Sequence, residues 1–128
     1  MNILLVEDEP HVRQALGRSM TAWGHHVVAV ETGTAALAAL SGASVDLIVL
    51  DVNLPDLSGW DVLRRLDPGG RAAIPVIVIS AIAPSVSRQH EFQPFGVLHK
   101  PFPIESLHRL VSLAESWPGF AVSERSRA

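Results

Sequence analysis

A chain of 128 residues, 48% of them apolar and with a formal charge of −3, is sized for one domain with a core of its own. The lack of cysteine excludes a disulfide framework and cysteine-ligated metals, and the charge gives no electrostatic reason to expect nucleic acid or an anionic membrane as partner. The amino terminus, Met1-Asn2-Ile3-Leu4-Leu5-Val6-Glu7-Asp8, has no basic segment ahead of its apolar run, and that run is too short to cross a bilayer, so a cytoplasmic protein is expected.

Ile3 to Val6 form a continuous apolar run, which reads as a strand covered on both faces, and it ends in Glu7-Asp8. After Pro10, which suits a first helical turn, Val12, Ala15, Leu16, Met20 and Trp23 recur at helical spacing until Gly24 supplies a left-handed stop. His26 to Val30 is a second strand, and Thr34 to Leu40, closed by Gly42, is an alanine-rich second helix of high intrinsic propensity. Val45-Asp46-Leu47-Ile48-Val49-Leu50-Asp51 is the central strand, and it too ends in a carboxylate.

Asp56-Leu57-Ser58-Gly59 leads into a third helix through Trp60, Val62, Leu63 and Leu66, which Asp67-Pro68-Gly69-Gly70 breaks. Ile74 to Ser80 is a fourth strand, with Pro75 tolerable only near its start. Between Ala81 and Gly96 the pattern weakens, because Pro84 and Pro94 bracket a polar stretch with few apolar anchors; a helix there is expected to be short or loose. Val97-Leu98-His99 is a short fifth strand, followed by Lys100-Pro101-Phe102. Ile104, Leu107, Leu110, Val111 and Ala114 then mark an amphipathic last helix. One domain over residues 1–117 is expected, with a largely frayed tail over 118–128. Strands alternating with helices argue for a parallel α/β sheet wound on both faces.

In such sheets ligands bind at the carboxyl ends of the strands. The inventory there is Glu7, Asp8 and Asp51 as acids, Ser80 as a hydroxyl and Lys100 as an ammonium. If the first and third strands are neighbours, about 4.8 Å apart, two of these carboxylates repel by roughly 3 kcal/mol at an effective dielectric near 20, so the cluster needs a cation. Hard oxygen ligands that leave room for water favour Mg²⁺. A carboxylate beside Mg²⁺, with a hydroxyl and a lysine converging on it, is what a phosphoryl acceptor requires, and the expected product is an aspartyl phosphate on Asp51.

At these residues the chain resembles the response-regulator receiver domains of two-component signalling, over roughly Met1 to Trp117. The matching motifs are Leu4-Leu5-Val6-Glu7-Asp8-Glu9-Pro10, Asp51-Val52-Asn53-Leu54-Pro55 with Ser58-Gly59, Ser80-Ala81, and Lys100-Pro101-Phe102. The resemblance implies a doubly wound, flavodoxin-like sheet of five parallel strands in the order 2-1-3-4-5, for which receivers are themselves a standing example. It implies that Glu7 and Asp8 hold Mg²⁺ directly or through water, that the Asn53 backbone carbonyl completes the metal shell with Asp51, and that Ser80 and Lys100 attend the phosphoryl group. Family lysines of this kind precede a cis proline; the residues themselves support only that Pro101 biases Lys100 toward extended backbone. The implied partners are a histidine kinase or phosphotransfer protein and a downstream protein target, with the chain a monomer or weak homodimer and not an enzyme in its own right.

Two departures stand out. The position three before the lysine, usually aromatic in the family, is Val97, and the segment between Ser80 and Lys100 is about two residues short. The usual aromatic switch is therefore not expected, and Ala83 to Phe95 is expected to be irregular. The six histidines show no paired ligand spacing, Arg64-Arg65 reads as a solvated helix face, Trp60 as packing, and Trp23 and Trp117 as staples at helix ends. Three functions compete: a phosphorylatable receiver acting alone, a constitutive receiver-shaped interaction module, and a Mg²⁺-dependent phosphatase. The last ranks lowest, because Asn53 stands where that chemistry wants a second acid.

Overall fold

Five strands pair in parallel throughout one sheet, the second strand at one edge, then the first, third, fourth and fifth, which is the order the resemblance implies. The computed structural model describes residues 1–42, 44–66 and 74–117. In chain order these form β1 (Asn2–Val6), α1 (Pro10–Ala22), β2 (His26–Val30), α2 (Gly33–Gly42), β3 (Leu47–Asp51), α3 (Gly59–Arg65), β4 (Val76–Ser80), α4 (Val86–Phe92), β5 (Gly96–His99) and α5 (Ile104–Glu115). The uninterrupted runs of β3 and β4 are buried at every residue and take central places, whereas β2, exposed or half-buried along its length, lies at an edge.

Strand alternation divides the core into two layers. Ile3, Leu5, Leu47, Val49, Ile77 and Ile79 point to one face and meet Leu16 and Met20 of α1 with Leu107 and Val111 of α5. Leu4, Val6, Ile48, Leu50, Val76 and Val78 point to the other, against Ala36 of α2, Val62 and Leu63 of α3 and Phe92 of α4. At about 1.5–3 kcal/mol for each fully buried leucine or isoleucine, these layers fix the register, since a slip of one residue would exchange them. Asp46 reinforces that register: its carboxylate accepts from the Asn2 amide at 2.8 Å, and its own amide donates to the Asn2 carbonyl at 2.8 Å.

Local chemistry ends the helices much as expected. Glu9 caps α1 by accepting from His11 and Val12 amides at 3.2 and 2.8 Å, Pro10 opens the helix, and Gly24 follows it at φ +98°. Trp23 does act as a staple, stacking on His108 of α5 with ring centroids 4.3 Å apart. Ser58 caps α3, which ends at Arg65; the expected breakers at 67–70 and the expected frayed tail at 118–128 lie outside the described residues.

The second helix has a cap its own sequence does not reveal. Asp56, from the loop after β3, accepts from Gly33 N at 2.9 Å, Thr34 N at 3.0 Å and Thr34 Oγ1 at 2.5 Å, satisfying first-turn amides of α2 from across the fold. The Thr34 hydroxyl, with the Thr34 and Gly33 amides, holds the Asp56 carboxyl well below the usual carboxylate range. A depressed folded pKa contributes stability above the usual range that is lost on acidification. Asp56→Ala is therefore expected to lower Tm by several degrees at pH 7, with the deficit shrinking below pH 4, which thermal scans at the two pH values check.

In the segment expected to be irregular, with at most a short or loose helix, a short helix forms between non-helical flanks. Val86 to Phe92 form two turns of helix, capped by Ser85 Oγ, which accepts from Arg88 N at 3.1 Å, and closed by Gln93 at φ +46°. One apolar anchor suffices because it is cross-braced. Phe92 stacks on Trp60 of α3 at 5.1 Å, Arg64 lies over the Phe92 ring at 5.3 Å, and Arg88 lies over Trp60 at 5.8 Å. Arg64 and Arg65 are exposed, as a solvated face requires, and Arg64 also donates from Nε and Nη2 to Glu91 at 3.2 and 3.3 Å, which joins two helices.

Candidate functional site

Parallel pairing carries the three central strand ends to one rim. Val6 is opposite Leu50 and Asp51 opposite Ile79, so the residues that follow β1 flank the end of β3. Beyond β4 and β5 the Lys100 amide continues the pairing by donating to the Ser80 carbonyl at 2.8 Å, and the Lys100–Pro101 bond is cis, as the resemblance implies.

Glu7 and Asp51 are buried, at 0% and 2% exposure, while Asp8 is exposed, and carboxylate oxygens of all three lie within 4.8 Å of one another. Lys100 supplies the counter-charge. Its Nζ is 2.6 Å from Asp51 Oδ2 and 3.2 and 3.0 Å from the two Glu7 oxygens. Asp51 Oδ1 accepts from the Asn53 amide at 2.8 Å, which ties the loop after β3 back onto the carboxylate. The helix that follows is pressed on the same strand end: Gly59 N donates to the Val52 carbonyl at 2.9 Å, and a Cβ on Gly59 would come within 2.9 Å of the Asp51 carbonyl oxygen.

The electrostatics are those of an over-filled acid site. Burial, aided by the Asp51 charge and opposed by the hydrogen bond from Lys100, pushes the Glu7 carboxyl up to about 7. Burial works against the Lys100 ammonium, but its hydrogen bonds to Asp51 and Glu7 prevail and raise its pKa. Glu7 Oε2, although close to Nζ, makes no hydrogen bond and is buried, so one anionic oxygen in the cluster is left without a hydrogen-bonding partner. A donor set of three carboxylates with one orphaned oxygen fits a hard divalent cation such as Mg²⁺.

Ser80 is buried at the same rim, but its hydroxyl turns to its own loop, donating to the Ile82 carbonyl and accepting from the Ile82 amide at 3.1 Å. Val97, opposite Val78 in β5, is half-buried against the α2–α4 layer. Arg13 was not singled out in the sequence. Its Nη1 donates to the carbonyls of Glu7 and Asp8 at 3.0 and 3.2 Å, and the visible signal was only an arginine one turn into α1, five residues after Asp8.

Residues 3–112 match the family described as the response regulator receiver domain. The chain belongs to that family. The receiver is 36% identical over 121 residues to the transcriptional regulatory protein TcrA of Mycobacterium tuberculosis, covering 92% of this chain and 47% of TcrA. It is 42% identical over 79 residues to the transcriptional regulatory protein KdpE of the same species, covering 62% of this chain and 34% of KdpE, so it spans less than half the length of either regulator. In structure it is similar to the response regulator TrrA of Thermotoga maritima, solved in complex with Mg²⁺-BeF, with a TM-score of 0.78 at 25% identity over 88% of this chain and 97% of that one. The fold is shared with CheY4 of Vibrio cholerae, with a TM-score of 0.81 at 23% identity over 88% of this chain and 97% of that one. Receivers are signalling domains of two-component systems, bind Mg²⁺ at an acidic site and interact with histidine kinases and downstream effectors. Among the described residues no helix is long and apolar enough to cross a membrane.

Proposed function

We propose that Asp51 accepts a phosphoryl group from the phosphohistidine of a kinase or phosphotransfer protein, and that the receiver signals through protein contacts made in that state. The observation that carries this reading is the burial of the Asp51 carboxylate among Glu7, Asp8 and Lys100 at the strand rim. An Asp51 oxygen attacks phosphorus as the phosphorus–nitrogen bond breaks, and the electron pair of that bond leaves with the imidazole. The product is an acyl phosphate.

Glu7, Asp8, Asp51 and the Asn53 carbonyl are the groups that would hold Mg²⁺, which when bound neutralises the oxygens of the transferring group. The Asn53 amide on Oδ1 orients the nucleophile. Lys100, already on Oδ2, passes to the phosphoryl oxygens once Asp51 is phosphorylated. Ser80 meets the same oxygens only after its hydroxyl leaves the Ile82 carbonyl, and with Val97 in β5 no aromatic ring from that position follows it. We assign residues 1–117 to the receiver unit, a cytoplasmic setting, and a place in phosphorelay signalling as monomer or weak homodimer.

The Ser80 geometry and Val97 together favour a second reading, a module whose contacts do not depend on phosphorylation. Intact-mass measurement after incubation with Mg²⁺ and acetyl phosphate separates the two. A single phosphate adduct is expected, absent without Mg²⁺ and absent in Asp51→Asn; an unmodified parent chain would favour the constitutive module.

A further inference from the structure

Glu7 and Asp8 leave the sheet on a short connection to α1, and a metal-binding carboxylate on a loop is held no better than its backbone. Glu7 has burial and Lys100 to fix its side chain, whereas Asp8 is exposed. The Glu7 amide is held by the Val30 carbonyl at 3.0 Å, but the peptide oxygens of both acids are held by one guanidinium nitrogen. Arg13 Nη1 bridges the carbonyl oxygens of the two successive acids, at 3.0 and 3.2 Å.

The arginine is itself well anchored. Its amide donates to the Glu9 carbonyl at 2.9 Å inside α1, its side chain is only 20% exposed, and Glu31, just past β2, lies 3.7 Å from Nη1. It thus ties the acid-bearing loop to the helix on one side and to the neighbouring strand's end on the other. Resting on the phosphoacceptor reading, we propose that Arg13 is a positioning residue for Mg²⁺ binding, acting through the peptide oxygens of Glu7 and Asp8.

Arg13 and Lys100 are both cations beside the acids, and they do different things. Lys100 sits on the carboxylate oxygens that a metal would need and must yield them. On the acid loop Arg13 touches only peptide oxygens, so its grip persists when a cation enters. Glu31, 66% exposed and 3.7 Å away, offsets little of its charge, so a variant that keeps the charge is what separates loop order from electrostatics. Loss of an outer partner of this kind typically weakens metal binding about 10- to 100-fold.

The test is a Mg²⁺ titration followed by amide chemical shifts at Asp8 and Asn53, on the parent, Arg13→Ala and Arg13→Lys, with Tm measured for each without metal. Arg13→Ala is expected to bind Mg²⁺ about 10-fold or more weakly while still folded. Arg13→Lys keeps the charge on a shorter side chain that does not present the guanidinium fork, and is expected to resemble Arg13→Ala more than the parent. A purely structural arginine would lower Tm and leave the affinity of the folded protein unchanged. That result, or full rescue by lysine, overturns the assignment, and the lysine variant carries the test if the alanine variant does not fold. A parent with no Mg²⁺ response overturns the phosphoacceptor reading and the assignment with it, whereas a parent and an Arg13→Ala that respond equally overturn the assignment alone.

Discussion

Lys100→Ala is expected to destabilise the Mg²⁺-free receiver by about 3 kcal/mol near neutral pH, a fall in Tm on the order of 10 °C. Two buried carboxylates share this one ammonium, at 2.6 Å from Asp51 and 3.0 Å from Glu7. Removing it leaves the Asp51 carboxylate without its cation and favours the protonated form of Glu7, and breaking a buried pair from one side typically costs about 3–5 kcal/mol. The lower end applies because the lysine side chain is itself 26% exposed and partly screened. The loss is expected to be smaller at pH 5, where Glu7 holds a proton and less charge is stranded, and Mg²⁺ is expected to restore much of it by supplying the missing cation. Urea denaturation with and without Mg²⁺ checks both. A variant as stable as the parent in metal-free buffer would mean that the lysine does not carry the charge balance of the site.

The second large effect is a pH dependence that runs opposite to that of most carboxylates. Burial raises the Glu7 pKa from 4.5 to about 7, so across that window the folded chain holds a proton that the unfolded chain releases. The folded state binding more protons at Glu7, the contribution of this residue to stability falls as pH rises from 5 to 8 in metal-free buffer, by an amount on the order of 3 kcal/mol, against a smaller opposite trend from His25, whose pKa burial lowers. Glu7→Gln cannot ionise and is expected to lose this slope, becoming the more stable of the two chains at pH 8 without metal. With Mg²⁺ the ordering is expected to reverse, since the metal favours the ionised carboxylate and competes with the proton. Denaturation curves at a series of pH values with EDTA present decide it; parallel profiles for parent and Glu7→Gln would place the titrating group elsewhere.

Much of the site was legible because it is written at strand ends. A run such as Leu47 to Leu50 reads as a covered strand, and once the strands wind into one parallel sheet, Glu7, Asp8, Asp51, Ser80 and Lys100 share a rim whatever the details of the loops. The helix start at Pro10 and the stop at Gly24 were legible from local residue chemistry.

Contacts between side chains far apart in sequence were not. Nothing near Thr34 announces that Asp56 caps its helix, and nothing near Phe92 announces that Trp60 and Arg64 will brace it into order. The polar stretch before Phe92 looked too poor in apolar anchors because its neighbours on α3 belong to another part of the chain. Ser80 shows a different limit: its position followed from the strand, but the direction of its hydroxyl followed from the Ile82 backbone, which no pattern of residue types encodes.

The most direct measurement of the phosphoacceptor reading is to locate the modification. After incubation with Mg²⁺ and acetyl phosphate, borohydride reduction converts an acyl phosphate to a stable alcohol, and peptide mapping by mass spectrometry reads its position. Reduction at Asp51, and at no other acid of the chain, is the expected result. A phosphate carried on a histidine, on Ser80 or on another carboxylate, with Asp51 unmodified, would contradict it.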